Sequence, residues 1–151
     1  MIKKLLKFLI IDDALKADIA FLKRVALFQG ISDKALSKIA LLVFKKTYLA
    51  GEQIYKDKQE ASVVYIVKEG QVKLSNESLE KTVESGGFFG EISLIENKKH
   101  DSTAVAVKDS ELYLIYRVKF DDMAESDATA GLRIMKNLST IFAARLKCSE
   151  I

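Results

Sequence analysis

Gly86-Gly87-Phe88-Phe89-Gly90-Glu91-Ile92-Ser93-Leu94-Ile95 is the segment from which the rest of this chain is best read. It combines a glycine turn, a pair of aromatics, a single glycine, and an acid leading into an aliphatic run. Gly90 allows backbone to approach a ligand closely. A helix opening near Glu91 would offer unpaired N–H groups and the positive end of its dipole, an arrangement suited to an anion. Glu91 also has a plainer use, since any acid is favourable at a helix N-terminus.

On both sides of this segment the pattern is strand-like. Val63-Val64-Tyr65-Ile66-Val67 reads as a buried strand, and Gln71-Val72-Lys73-Leu74-Ser75 alternates, with Glu69-Gly70 as the turn between them. A strand is expected from Gly51-Glu52 into Gln53-Ile54-Tyr55. Thr103–Val107 and Glu111–Tyr116 are two more, separated by Lys108-Asp109-Ser110. Short strands at this spacing predict an antiparallel barrel or jelly roll.

Helices flank the strands. Ile2, Leu5, Leu6 and Leu9 fall at helical spacing, and Ile19, Leu22 and Val25 continue the period. After a break at Gln29-Gly30, Ser32 is placed to cap a helix carrying Leu36, Ile39, Ala40 and Val43. A short helix is expected over residues 119–123. Asp127 then caps a longer one over about 128–147, in which Leu132, Met135, Leu138, Ile141, Phe142 and Leu146 recur at mostly three and four residues. The fold class is therefore α+β: an antiparallel β-roll (a jelly-roll barrel) with N-terminal helices and a long C-terminal helix. We assign one domain over 1–151, with N-terminal helices at 1–48, the roll at 49–118 and C-terminal helices at 119–151.

Composition removes whole classes of function. The chain has 151 residues, 49% apolar and 30% charged, so it can bury a core. The net charge is only +3, which argues against a nucleic-acid surface. With one cysteine, Cys148, there is no internal disulfide or multi-cysteine zinc site. With one histidine, His100, there is no two-histidine metal site. No metal or other cofactor is expected. No apolar run is long enough to span a bilayer, and Met1–Ile11 makes a poor signal peptide because Lys7 interrupts it and Asp12-Asp13 follow. The expected location is the cytoplasm. Two absences stand out: there is no proline, where roughly seven would be usual, and none of the four arginines (24, 117, 133 and 145) lies between residues 25 and 116.

Helices, then a small roll, then a long closing helix resemble the cyclic nucleotide-binding domain family over about residues 21–149. Leu27–Asp33, Gly51–Tyr55 and Val64–Val72 are similar to its N-terminal helix pair, first strands and central hairpin. Phe88-Phe89-Gly90-Glu91-Ile92-Ser93-Leu94-Ile95 resembles the start of its phosphate-binding cassette, here placed at 86–106. The resemblance implies cAMP or cGMP as ligand, and a hydrogen bond from the ribose 2′-hydroxyl to Glu91. The residues it puts at the ligand are Gly90, Glu91, Ile92, Ser93, Lys98, Lys99, His100, Asp101 and Ser102.

The cassette departs from the family pattern where the phosphate is held. The family's R-[ST]-A-T-V-x-A corresponds to His100-Asp101-Ser102-Thr103-Ala104-Val105-Ala106. A guanidinium binds two phosphate oxygens and stays charged; a histidine offers one well-aimed donor and is mostly neutral at pH 7. Asp101 adds negative charge beside the phosphate, although it would also favour the charged form of His100. No shift of alignment recovers an arginine. Lys98 and Lys99 serve either as substitute point charges or as a solvated loop tip. His100 either contacts ligand or is a surface residue paired with Asp101. Asp57–Ala61 occupies a turn where the family often has glycine or proline, and Lys99 another position where proline is common.

Leu132, Met135, Ser139, Phe142 and Leu146 form a short seam suited to a protein partner or a homodimer, flanked by Ile134, Leu138 and Ile141. The resemblance places Ser149 near the base, and Cys148 reads as an inert thiol. DNA binding is not expected, since no recognition helix or basic stripe is present. Membrane contact is not expected either: Met1–Ile11 suits a membrane surface or partner helix no better than packing on its own domain. The reading is a non-catalytic regulatory module with weak or lost nucleotide binding; the alternative is a working cAMP/cGMP receptor using Glu91 and the cassette N–H groups. A small β-roll enzyme is disfavoured, because one histidine and one remote cysteine leave no nucleophile–base pair.

Overall fold

The computed structural model describes residues 1–149, with side chains for all of these except Phe8, Ile11 and Ser149; the expected role of Ser149 thus lies outside the described residues. The chain divides into two compact units, a helical one of residues 1–41 and 122–151 and a β unit of residues 42–121.

The helical unit begins with α1 (Ile2–Leu22), a 3-10 turn at Ala26–Phe28 and α2 (Asp33–Leu42). Ser32 caps α2 as expected, its Oγ accepting from the Ala35 N–H at 3.2 Å. Later come α3 (Arg117–Ser126), which starts two residues before the short helix expected from Lys119, and α4 (Ala128–Ser149). Asp127 caps α4, accepting from the Ala130 N–H at 3.2 Å. Ile134 and Leu138 of α4 are fully buried, as are Leu27 and Phe28 of the 3-10 turn. The Asn137 amide joins these two elements, donating to the Leu27 and Gln29 carbonyls at 3.0 and 2.9 Å. Leu132 and Leu146 stay exposed. The wide α4 stripe is thus divided: its flank packs inward, while the two ends of its seam face solvent.

The β unit holds eight strands: β1 (Phe44–Tyr48), β2 (Gln53–Tyr55), β3 (Val63–Glu69), β4 (Gln71–Ser75), β5 (Glu80–Glu84), β6 (Phe88–Phe89), β7 (Thr103–Ala106) and β8 (Ser110–Tyr116). They form two four-stranded sheets, ordered β1-β8-β3-β6 and β2-β7-β4-β5, and the pairings are antiparallel. Side chains from both sheets meet in one core, including Tyr48, Tyr55, Val67, Val72, Phe89, Ala104 and Leu112. That is the jelly-roll layering the strand spacing predicts, as two open sheets.

Three readings from sequence need correction. Residues 44–48, expected among the N-terminal helices, form edge strand β1, with four of its five residues exposed; alternation is invisible where almost no residue is buried. β5 and β6 also carried no strand signal, β5 being charged on an edge and β6 only two residues long. Finally, β3 and β4 are not a paired hairpin. They belong to different sheets, and so do β7 and β8. The chain crosses between layers at Gly70 (φ 100°), just after a ladder irregularity between Val67 and Glu69. A Cβ on Gly70 would collide with Ser110 Oγ and lie 2.7 Å from the Asp109 carbonyl.

Candidate functional site

The candidate site lies wholly within the β unit. β6 pairs with β3, setting Phe89 opposite Tyr65, and their rings stack with centroids 5.0 Å apart and planes 6° from parallel. Tyr55 from β2 leans on both, at 5.6 Å from Tyr65 and 6.0 Å from Phe89. Such aromatic pairs add to simple burial. Burial pushes the Tyr65 phenol up to about 12. It also raises Tyr55 far above its ordinary value, an effect only partly opposed by a hydrogen bond with Ser102.

Beyond Phe89 the chain turns at Gly90, which sits at φ 75°. A Cβ there would lie 2.7 Å from the Val63 carbonyl. Packing on β3 therefore requires this glycine whether or not a ligand approaches. The expected helix at Glu91 is one 3-10 turn of four residues, Glu91–Leu94. So short a turn cannot supply a macrodipole of helical size. Glu91 is buried and its charge bears on Tyr55. Ile92 is half-buried. Ser93 is fully buried, and its Oγ finds no hydrogen-bond partner among the described residues.

The loop that follows is held by backbone bonds. The Ala61 N–H donates to the Lys98 carbonyl at 3.0 Å, Glu60 bridges Lys99, and His100 exchanges bonds with Gln59 (2.8 Å) and Lys58 (2.9 Å). The Asp57 N–H adds a bond to Thr103 Oγ1 at 3.0 Å. The turn at 57–61, where the family often has glycine or proline, places Lys58 at φ 68°. Lysine thus occupies a left-handed conformation that glycine adopts without strain.

His100 is not a surface residue. It is 5% exposed, with its imidazole flat on Tyr55, centroids 3.5 Å apart and planes 5° from parallel. Burial lowers its pKa below the usual 6.5, outweighing the opposite pull of the Asp101 carboxylate. Asp101 thus favours the charged form as expected, but burial outweighs it. Asp101 is exposed, and its carbonyl accepts from Asn76 Nδ2 at 2.9 Å. Lys98 is exposed and ion-paired with Glu96 at 2.8 Å; Lys99 is exposed.

A family model for the cyclic nucleotide-binding domain matches residues 45–127. The chain belongs to that family. It is 29% identical over 89 residues to a cAMP-dependent protein kinase regulatory subunit of Candida albicans, covering 58% of this chain and 19% of that protein. It is 28% identical over 141 residues to the cyclic AMP receptor protein of Thermus thermophilus, covering 86% of this chain and 61% of that one. It therefore spans less than two thirds of either relative. Among solved structures, a cyclic nucleotide-binding-like protein from Brucella abortus is 26% identical with a TM-score of 0.62, covering 72% of this chain and 98% of that one.

As a cyclic nucleotide-binding domain, the chain brings Gly90, Glu91, Ser93, His100 and Ser102 into or beside one buried aromatic cluster, while Lys98, Lys99 and Asp101 remain on its exposed loop. Sequence reasoning did not assign Tyr55 to the site. The available signal was an aromatic ending a short strand, which alternation alone reads as core. Among the described residues no cluster of three metal-ligating side chains occurs.

Proposed function

We propose that this chain is a non-catalytic regulatory module of the family in which cyclic-nucleotide binding is weak or lost. The observation that carries the reading is the His100–Tyr55 stack. At the position where the resemblance expects a charged, forked guanidinium, a buried imidazole is engaged with a tyrosine ring, and burial favours its neutral form. Loss of a buried charged partner costs about 2–5 kcal/mol, or about 30- to several-thousand-fold in affinity. The Lys98–Glu96 pair supports the same reading, because a lysine engaged on its own loop is a poor substitute. Calorimetry of the purified chain with cAMP and with cGMP tests it. The expected isotherms are flat at micromolar protein; a dissociation constant below about 1 µM overturns the reading.

One observation favours the alternative, a working receptor. Ser93 Oγ is buried without a hydrogen-bond partner among the described residues, beside the buried Glu91. An unsatisfied buried hydroxyl is costly, and a phosphate oxygen would satisfy it. In a working receptor Glu91→Ala would sharply weaken nucleotide binding, and an unaltered isotherm would reject that role.

A further inference from the structure

The first half of α1 takes no part in the cassette, and the sequence left its apolar residues free to pack on their own domain. They do not do so. Ile2, Leu5, Leu6, Leu9 and Ile10 are each 50–75% exposed. At 3.6 residues per turn these five fall within an arc of about 140°, and Lys3, Lys4 and Lys7 fall outside it. None of the three lysines pairs with a carboxylate among the described residues, and all are exposed. The first acids are Asp12 and Asp13, and Asp12 is paired with Lys16 at 2.7 Å.

We propose that this half-helix docks on an anionic lipid surface, lying in the plane of the interface with its aliphatic arc against the acyl boundary and its lysines toward the headgroups. Charge complementarity selects this occupant: three cations and no acid over residues 2–11 match a negatively charged leaflet. The width of the arc agrees, since a second helix would cover only a narrow seam of about two residues per heptad. No described helix is long and apolar enough to cross a membrane, so the geometry is that of a helix resting on the surface.

The test is co-sedimentation of the full chain with vesicles of phosphatidylcholine alone and of phosphatidylcholine with phosphatidylserine at a ratio of about 7:3, which sets the leaflet charge. Binding is expected on the anionic vesicles, with marked weakening on neutral ones and in high salt. Replacing Lys3, Lys4 and Lys7 together by Gln should lower partitioning about 100-fold, each lysine contributing about fivefold. Replacing Leu5 and Leu9 by Ser should lower it about tenfold for each side chain. Thermal midpoints of both variants should match the parent, because these side chains are exposed. Absence of binding at millimolar anionic lipid, or binding indifferent to the lysines, overturns the proposal. So does a dimer in sedimentation that the Leu5/Leu9 variant dissociates while vesicle binding is unchanged, since the arc would then belong to a second copy.

Discussion

The imidazole of His100 and the phenol ring of Tyr55 lie face to face, 3.5 Å apart and within 5° of parallel, inside the β unit. This contact links the cassette's last loop to β2. It also places the chain's single histidine in a buried setting.

Stability should therefore depend on pH through one identifiable group. The folded-state pKa of His100 lies below its ordinary 6.5 because burial disfavours the imidazolium. The unfolded chain then binds the proton more readily, so this contribution is complete above about pH 6.5 and is lost as pH falls toward the folded value. Thermal midpoints measured from pH 7.5 down to 5.5 should decline. His100→Phe, which keeps a stacking ring, should flatten that slope; an identical slope in the variant would remove His100 as its source.

His100→Arg should restore charge at the phosphate position. If the missing guanidinium limits affinity, cAMP binding should tighten by about 30-fold or more. Calorimetry on parent and variant reads this directly, with circular dichroism confirming that the variant is folded. A folded variant with unchanged affinity would shift the blame to the packing around Tyr55.

Tyr55 touches Tyr65, Phe89 and His100 at once, so its truncation should be costly. Tyr55→Ala is expected to lose about 3–5 kcal/mol in urea unfolding. Tyr55→Phe, which gives up only the hydrogen bond with Ser102, should lose about 1 kcal/mol. Similar losses for the two would mean that the hydroxyl rather than the ring matters.

Lys58 and Gly90 make opposite predictions from the same backbone region. Lys58 sits at φ 68°, so Lys58→Gly should relieve about 1–2 kcal/mol of strain, less about 0.5–1 for the looser unfolded chain. The net expectation is a small gain in the urea midpoint. Gly90→Ala adds the same kind of strain and also forces a Cβ against the Val63 carbonyl, so it should destabilise by more than about 2 kcal/mol. A stable Gly90→Ala protein would show that β3 and the turn can separate.

Much of the fold could be read directly from the residues. The central strands announced themselves because Val63–Val67 are all buried, and the caps Ser32 and Asp127 were found because each bonds an N–H three residues on. β1 and β5 were missed because edge strands with charged residues have no alternation to read. The turn at Glu69-Gly70 was recognised, but not its destination. A local pattern specifies that the chain bends, whereas the pairing of β3 with β8 and of β4 with β7 depends on residues 28 to 53 positions away.

The candidate site divides along the same line. By itself the sequence determined that residues 25–116, which include the cassette, contain no arginine. It also identified Phe88-Phe89-Gly90-Glu91 as the turn on which the site is built. Only the tertiary structure decided what became of His100. Burial against Tyr55, a residue 45 positions earlier, lowers its pKa and removes it from the surface. Protonation follows local dielectric and neighbouring charge, and both are set by which distant segments pack together.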